Sequence, residues 1–310
     1  MIGLINLLKP PGPTSHDMVN WLRRLLGIRQ IGHLGTLDPG AAGVLPICVG
    51  PATRLAEYMA DWLKKYRVEV LLGVETDSQD FFGKIINNNL NCQLTDDQIA
   101  KGLEQLIGQQ EQIPPMFSAV KQGGKRLYKL AREGKQVVRK PRSIIIHDIQ
   151  IQRIQLTQYC PRVLFDVTVS KGTYIRTLCA DLGDKLGCGG CMGFLIRTAC
   201  GPFTIKEALT TMEIESSYNQ GDISFLIPPQ VGLADWPKWT ICPEAKTSLI
   251  NGASLYQNDF LEPGILEKCL GTLGCVQSPE GKFLAVGQIK EDSSGKRYCH
   301  PEKVLVGRSI

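Results

Sequence analysis

Residues 143–186 read SIIIHDIQIQRIQLTQYCPRVLFDVTVSKGTYIRTLCADLGDKL, and the order of patterns inside this stretch decides the fold class. Ser143 to Leu156 and Arg162 to Ser170 are two long apolar and β-branched runs, which predict strands. Ile144, Ile146, Ile149 and Ile151 break the alternating phase once, predicting a bulge or turn near His147-Asp148. Thr173 to Leu186 then reads as a helix ended by Gly187. Strands mixed with helices, without a regular βαβ rhythm, predict an α+β fold with an antiparallel or mixed central sheet.

The flanking sequence extends this pattern. Met1 to Leu8 is apolar, lacks a basic leader and runs into Lys9-Pro10-Pro11, which predicts a first strand and not a secretion signal. Thr14-Ser15-His16-Asp17 offers helix caps ahead of Val19, Leu22, Leu25 and Leu26, and Gly27 ends that face. Gly32 to Gly50 is dense in Gly and Pro. Tyr66, Val68, Val70 and Leu72 alternate as a half-buried strand does. Thr95-Asp96-Asp97-Gln98 resembles a capping box before Ile99, Leu103 and Leu106, with Gly108 as the stop. From Trp236 the texture changes to short β-like runs, Lys282 to Ile289 and Lys303 to Val306, punctuated by Gly-containing turns. A catalytic domain over 1–235 and a small β domain over 236–310 are expected. Pro228, Pro229 and Pro237 mark the boundary region.

The 310 residues are 43% hydrophobic and 21% charged, an ordinary globular composition for about two domains. No apolar run approaches the ~18 residues of a membrane span. Eleven cysteines, an odd number lying mostly in apolar strings, fit buried thiols in a reducing cytoplasm. Cys188 and Cys191 have zinc-compatible spacing, but no second pair or suitably placed His accompanies them, so no metal is expected. The net charge is a mild +5. Its placement is less mild: Lys121, Lys125, Arg126, Lys129, Arg132, Lys135, Arg139, Lys140 and Arg142 are opposed only by Glu133. Such a patch suits a phosphate backbone, although a solvated helix face has the same composition.

The most unusual segment for chemistry is Gly32-His33-Leu34-Gly35-Thr36-Leu37-Asp38-Pro39-Gly40-Ala41-Ala42-Gly43-Val44-Leu45-Pro46. One carboxylate and one imidazole stand in a stiff apolar loop, where the glycines let backbone approach a ligand. Asp38 there is either a nucleophile or general base, or simply a turn cap. Phosphate-loop and dinucleotide fingerprints are absent, as is the nucleophile elbow of a serine hydrolase. Nothing sets Cys179 in an activating context with His147. His33 and Asp38 as metal ligands would lack further ligands at suitable spacing.

Gly32 to Pro39 resembles the central motif of the TruB family, the tRNA pseudouridine-55 synthases. Leu8-Lys9-Pro10-Pro11-Gly12, Lys64-Lys65-Tyr66-Arg67-Val68, Lys171-Gly172-Thr173-Tyr174-Ile175-Arg176 and Gly193-Phe194-Leu195-Ile196-Arg197 resemble four further family motifs, in family order. Ile113-Pro114-Pro115-Met116-Phe117-Ser118-Ala119 is similar to family sequences as well. The resemblance spans about residues 3–210, and the last part of the chain resembles, more loosely, a PUA-like β domain.

The resemblance implies a base-flipping isomerase that converts uridine 55 in the TΨC loop of tRNA to pseudouridine, without a cofactor. It implies Asp38 as the nucleophile, Arg176 as its ion-pair partner, and Tyr66 as the residue that stacks on the uracil and takes up the C5 proton. It further implies Leu195 as an apolar wall, His33 and Tyr174 near the extruded base, Lys9 supporting the Asp38 loop, and Asp80 positioning the ribose or a neighbouring strand. The basic patch, with Tyr128, would grip the T-arm, and a monomer with no protein partner is expected. Relatives often carry two basic residues after the wall leucine. Ile196-Arg197 here implies one phosphate contact fewer, and Cys191 stands where some relatives have His. An RNA-binding protein without catalysis is the alternative, but binding alone needs no carboxylate set beside phosphates.

Overall fold

The computed structural model describes residues 1–306 apart from 90, 91, 119, 136, 158, 159 and 269. The chain opens with β1 (Gly3–Lys9) and α1 (Ser15–Leu26). Thr14 caps α1: its side chain accepts from the Asp17 N–H, the Asp17 carboxylate accepts from the Thr14 N–H, and Gly27 ends the helix at φ 66°. Next come β2 (Ile31–His33), β3 (Ala42–Val49), the short α2 (Ala56–Met59) and β4 (Lys64–Leu72). A small hairpin of β5 (Val74–Thr76) and β6 (Ile85–Asn88) precedes α3 (Asp96–Glu104) and β7 (Gly108–Gln112). The basic segment forms a two-residue-stranded hairpin, β8 (Lys121–Gln122) and β9 (Lys125–Arg126), followed by α4 (Leu127–Arg132). The stretch that decided the fold class then gives β10 (Arg142–Gln155), β11 (Arg162–Val169) and α5 (Ile175–Lys185), followed by β12 (Gly190–Cys200), β13 (Phe203–Thr204) and α6 (Thr211–Asn219).

These strands form one mixed sheet in the order β1-β3-β12-β4-β11-β10-β7, with β2 on β3 and β13 on β12. Every pairing is antiparallel except β3 with β12. The fold is therefore α+β, as the strand order in the sequence predicts. The expected irregularity in β10 is a register shift between Ile146 and Asp148, and a second one falls between Ile151 and Arg153.

Period-2 alternation sends β-strand side chains to two cores. On one face Ile5, Leu45, Ile47, Tyr66, Val68, Val70, Phe165 and Val167 pack with Val19 and Leu22 of α1 and Leu178 and Leu182 of α5. Burial of each such aliphatic or aromatic side chain contributes about 1.5–3 kcal/mol. On the other face Leu4, Val44 and Cys48 pack with Leu55 and Met59. Gly32 to Gly50 is thus less of a loop than its Gly and Pro content suggests. Val44 to Val49 is buried on both faces of β3, so it shows a continuous apolar run with no alternation.

A second sheet has the order β14 (Lys238–Thr240), β15 (Leu273–Gln277), β16 (Phe283–Glu291), β17 (Arg297–Val304), with α7 (Ala245–Ile250) inserted after β14. The expected short run at Lys303 to Val306 only begins in a strand: Leu305 and Val306 lie beyond the longer β17, which ends with Lys303 and Val304 and runs through Pro301. Proline is tolerated there because β17 is an edge strand with a register shift beside Gly287. Cys275, Phe283, Val286 and Leu305 of this part join the second core beside Leu4 and Val44. Among the described residues no helix is long and apolar enough to cross a membrane.

Candidate active site

The loop between β2 and β3 carries Asp38, and its path is fixed from four directions. The Lys9 ammonium, fully buried, donates to the carbonyls of Pro10 at 2.8 Å, Pro39 at 3.2 Å and Ala41 at 2.8 Å. Ser15, in the first turn of α1, donates its hydroxyl to the Leu37 carbonyl at 2.9 Å and accepts from the Leu37 N–H at 2.8 Å. The Gly12 N–H donates to the Pro39 carbonyl at 2.8 Å. Arg197 of β12 donates to the carbonyls of Val44 at 2.6 Å, Gly35 at 3.0 Å and Thr36 at 3.4 Å.

Arg197 stands where three strands meet. It lies opposite Gly43 of β3 on one side and Tyr66 of β4 on the other. A Cβ on Gly43 would fall 2.2 Å from the Arg197 carbonyl oxygen, and Gly43 has φ 111°, so only glycine permits this crossing. Arg197 is 1% exposed, and its charge acts on the buried phenol of Tyr66, its partner across the strand pair. This arginine points inward and holds the loop.

Arg176 is the second residue of α5, whose N-cap is Tyr174. Its Nε is 2.9 Å from Asp38 Oδ2, and its Nη2 is 3.4 Å from Asp38 Oδ1. The same guanidinium donates to the carbonyls of Phe117 at 2.8 Å and Ser78 at 3.2 Å, and its Nη1 lies 3.7 Å from Asp80 Oδ2. Its side chain is 6% exposed, against 40% for Asp38. The carboxylate is therefore clamped on one side in fork geometry and open to solvent on the other.

The other expected site residues are placed as follows. Tyr66 is buried on β4, and burial raises its phenol pKa while Arg197 opposes the rise. Leu195 of β12 is opposite Val68 and packs in the same core as Tyr66. His33 ends β2 with a buried, unpaired Nδ1, and burial followed by the Arg197 charge lowers its pKa. Asp80 turns to Arg176: Ser78 Oγ and the Phe82 N–H donate to its Oδ1, leaving Oδ2 toward the guanidinium. Tyr174 is engaged through its backbone, whose N–H and C=O are both hydrogen-bonded by the buried Gln112 amide.

Three residues that position the site were not legible: Ser15, Gln112 and the inward-facing Arg197 all act on backbone atoms far away in the chain. A serine just inside a helix start and a glutamine in a polar strand carry no signal of that kind. Cys179 is fully buried, and burial pushes its thiol well up, the opposite of an activated thiolate. Among the described residues no three His, Cys, Asp or Glu side chains converge as a metal site.

Of the basic patch, Lys125, Lys129, Lys140 and Arg142 are exposed, and Lys135 pairs with Glu133. Arg139 is half-buried and donates to the Pro114 carbonyl, which ties the patch to the segment whose Phe117 carbonyl holds Arg176. The side chains of Lys121, Arg126, Tyr128 and Arg132, together with Ala119, lie outside the described residues.

The architecture places the chain in the pseudouridine synthase fold class. It matches a chain in the structure of an H/ACA ribonucleoprotein bound to a substrate RNA containing 2′-deoxyuridine, with TM-score 0.73, 26% identity, and 99% of this chain and 86% of that one covered. A Cbf5–Nop10–Gar1 complex gives TM-score 0.73 at 28% identity over 99% and 85% of the two chains. Within that class, the chain belongs to the TruB family of pseudouridylate synthases. The family model for the N-terminal domain matches residues 23–175, and the tRNA pseudouridylate synthase B C-terminal model matches 176–226. The tRNA pseudouridine synthase B of Alkaliphilus oremlandii is 41% identical over 98% of this chain and 99% of its own length. That of Moorella thermoacetica is 42% identical over the same shares.

Proposed function

We propose that the chain converts uridine 55 in the T-arm of tRNA to pseudouridine at the Asp38 cleft, in the cytoplasm. The observation that carries this reading is the two-point contact between Asp38 and Arg176. The curated relatives are named for action on tRNA, which supports the substrate class.

The reaction breaks the bond from ribose C1′ to uracil N1, turns the base and joins C1′ to C5. N1 gains a proton and C5 loses one, so composition is unchanged and no redox or group-transfer cofactor enters. A stacked uridine is out of reach of any side chain, so it must first be extruded at a cost of a few kcal/mol. The open face of Asp38 then meets C1′ as nucleophile, while Arg176 on the closed face fixes the direction of its oxygens. Positive charge developing on the sugar is met by that carboxylate. Leu195 and Tyr66 wall the base. Burial favours the neutral phenol of Tyr66 and Arg197 offsets that penalty on the phenolate; the phenolate, its own proton first lost to solvent, takes up the C5 proton and returns to the neutral phenol. His33 faces the RNA loop as a neutral imidazole. Lys125, Lys129, Lys140 and Arg142, with the rest of the basic segment, attract the T-arm backbone and offset the extrusion cost.

Single-turnover conversion of an unmodified tRNA, with the position of pseudouridine mapped, tests this reading. Asp38→Asn lowers the rate by roughly 10⁴-fold or more, the scale on which a catalytic side chain acting with its partners is missed. RNA affinity stays near that of the unmodified protein. An active Asp38→Asn variant, or pseudouridine at another position, overturns the assignment.

A further inference from the structure

The β5–β6 hairpin carries Phe81 and Phe82 at its tip, 65% and 77% exposed, next to Ile85 and Ile86 at 64% each. The backbone beneath the rings is firmly tied. The Phe81 N–H donates to the Met192 carbonyl of β12 at 2.8 Å, the Phe82 N–H to Asp80 Oδ1 at 3.1 Å, and the Gly83 N–H to the Asp80 carbonyl at 3.1 Å. An anchored turn thus holds two large rings in water, an arrangement that folding alone does not reward.

The position of the rings ties them to the chemistry. The Phe82 ring fills the space beside Gly40, where a Cβ would come within 2.4 Å of it, so it lies on the loop that carries Asp38. Asp80, which anchors the Phe82 N–H, also faces Arg176. The two rings stand edge to face, with centroids 6.2 Å apart at 75°.

Charge selects the ligand. Between Gly73 and Ile85 the charged residues are Glu75, Asp77, Asp80 and Lys84, a net acidic balance of three to one. Such a turn repels a phosphate backbone, while its aromatic faces suit a flat, uncharged base, and base–aromatic stacking tolerates any base identity. When one nucleotide leaves a loop, its neighbours lose a stacking partner.

We infer that Phe81 and Phe82 form a stacking platform for an unpaired nucleobase flanking the extruded uridine, at the rim of the Asp38 cleft. This inference rests on Asp38 marking the place of chemistry. Phe82, the more exposed ring, offers its face, and Phe81 buttresses it edge-on.

The test uses the full-length protein and a T-arm stem-loop RNA, intact or with one abasic nucleotide at each position flanking the target in turn. Binding and saturating single-turnover rate are measured for the unmodified protein, Phe82→Tyr, and the double variant Phe81→Leu/Phe82→Leu, which keeps apolar bulk against Gly40. The double variant should bind intact RNA roughly tenfold more weakly, the effect of losing one base–aromatic stack. Its saturating rate should stay close to that of the unmodified protein, and Phe82→Tyr should bind normally. One abasic position should weaken binding to the unmodified protein by a similar factor and add nothing further in the double variant. Unchanged binding of intact RNA by the double variant overturns the inference. So does the absence of any flanking-base effect with the unmodified protein, or an abasic penalty that is equal in both proteins. Asp38→Asn reads conversion and these arms read affinity, so the two readings fail separately.

Discussion

The Lys9 ammonium sits fully buried among three backbone carbonyls, two of which, those of Pro39 and Ala41, follow Asp38 in its loop. Burial, the largest cause, brings its pKa down from 10.5 to about 8, against the attraction of Asp38 and with the help of Arg197. As pH rises through about 8 the amine keeps two N–H donors for three carbonyls, and Asp38 loses a nearby cation. The single-turnover rate should therefore show an alkaline limb with a midpoint near 8, absent in a slower Lys9→Met variant; the same limb in that variant would refute the link. Stability moves the other way. Between about 8 and 10.5 the unfolded chain holds a proton that the native lysine has released, so this group's penalty on folding shrinks across that window. Of these residues, the sequence made Lys9, Asp38 and Arg176 legible only through their motifs. Spacing alone left Asp38 between catalyst and turn cap, because its partner arrives 138 positions later.

Among elements, α1 and β3 determine how firmly the Asp38 loop is held. The start of α1 was legible from Thr14 and Asp17, since capping is local chemistry. The use of Ser15 was not, because Leu37, 22 positions away, is brought to it only by the sheet. Likewise β3 hides in a Gly- and Pro-rich stretch, since its burial on both faces removes the alternation that marks a strand. Ser15→Ala tests the tie directly. It strands the N–H and C=O of Leu37, itself 2% exposed, at a cost of about 1–3 kcal/mol for each unpaired group. The expected result is a lower saturating rate for tRNA conversion, unchanged RNA affinity and a reduced melting temperature. A variant with normal rate would show that the loop keeps its course without α1.

At the scale of the molecule, the change of texture near Trp236 made a second sheet legible, but nothing local shows that the two sheets share a core. That contact joins side chains far apart in the chain: Phe283, Val286 and Leu305 pack in one cluster with Leu4, Val44 and Leu55. Arg54 adds a hydrogen bond to the Val304 carbonyl at 2.7 Å, and Lys303 pairs with Glu57 at 2.9 Å. The exposed ion pair contributes at most about 1 kcal/mol, so the apolar cluster carries the coupling. Two sheets that share a core should unfold together, and calorimetry of the intact chain should show one cooperative transition. Phe283→Ala removes a ring that is 7% exposed and costs about 3–5 kcal/mol. Because that loss falls on the shared cluster, it should also separate the transition into two, with the smaller sheet melting first. Glu57→Gln, which breaks only the exposed pair, should leave a single transition at nearly the same temperature. Two transitions already present in the unmodified chain, or a Phe283→Ala variant melting as one unit at the original temperature, would mean that each sheet is stable without the other.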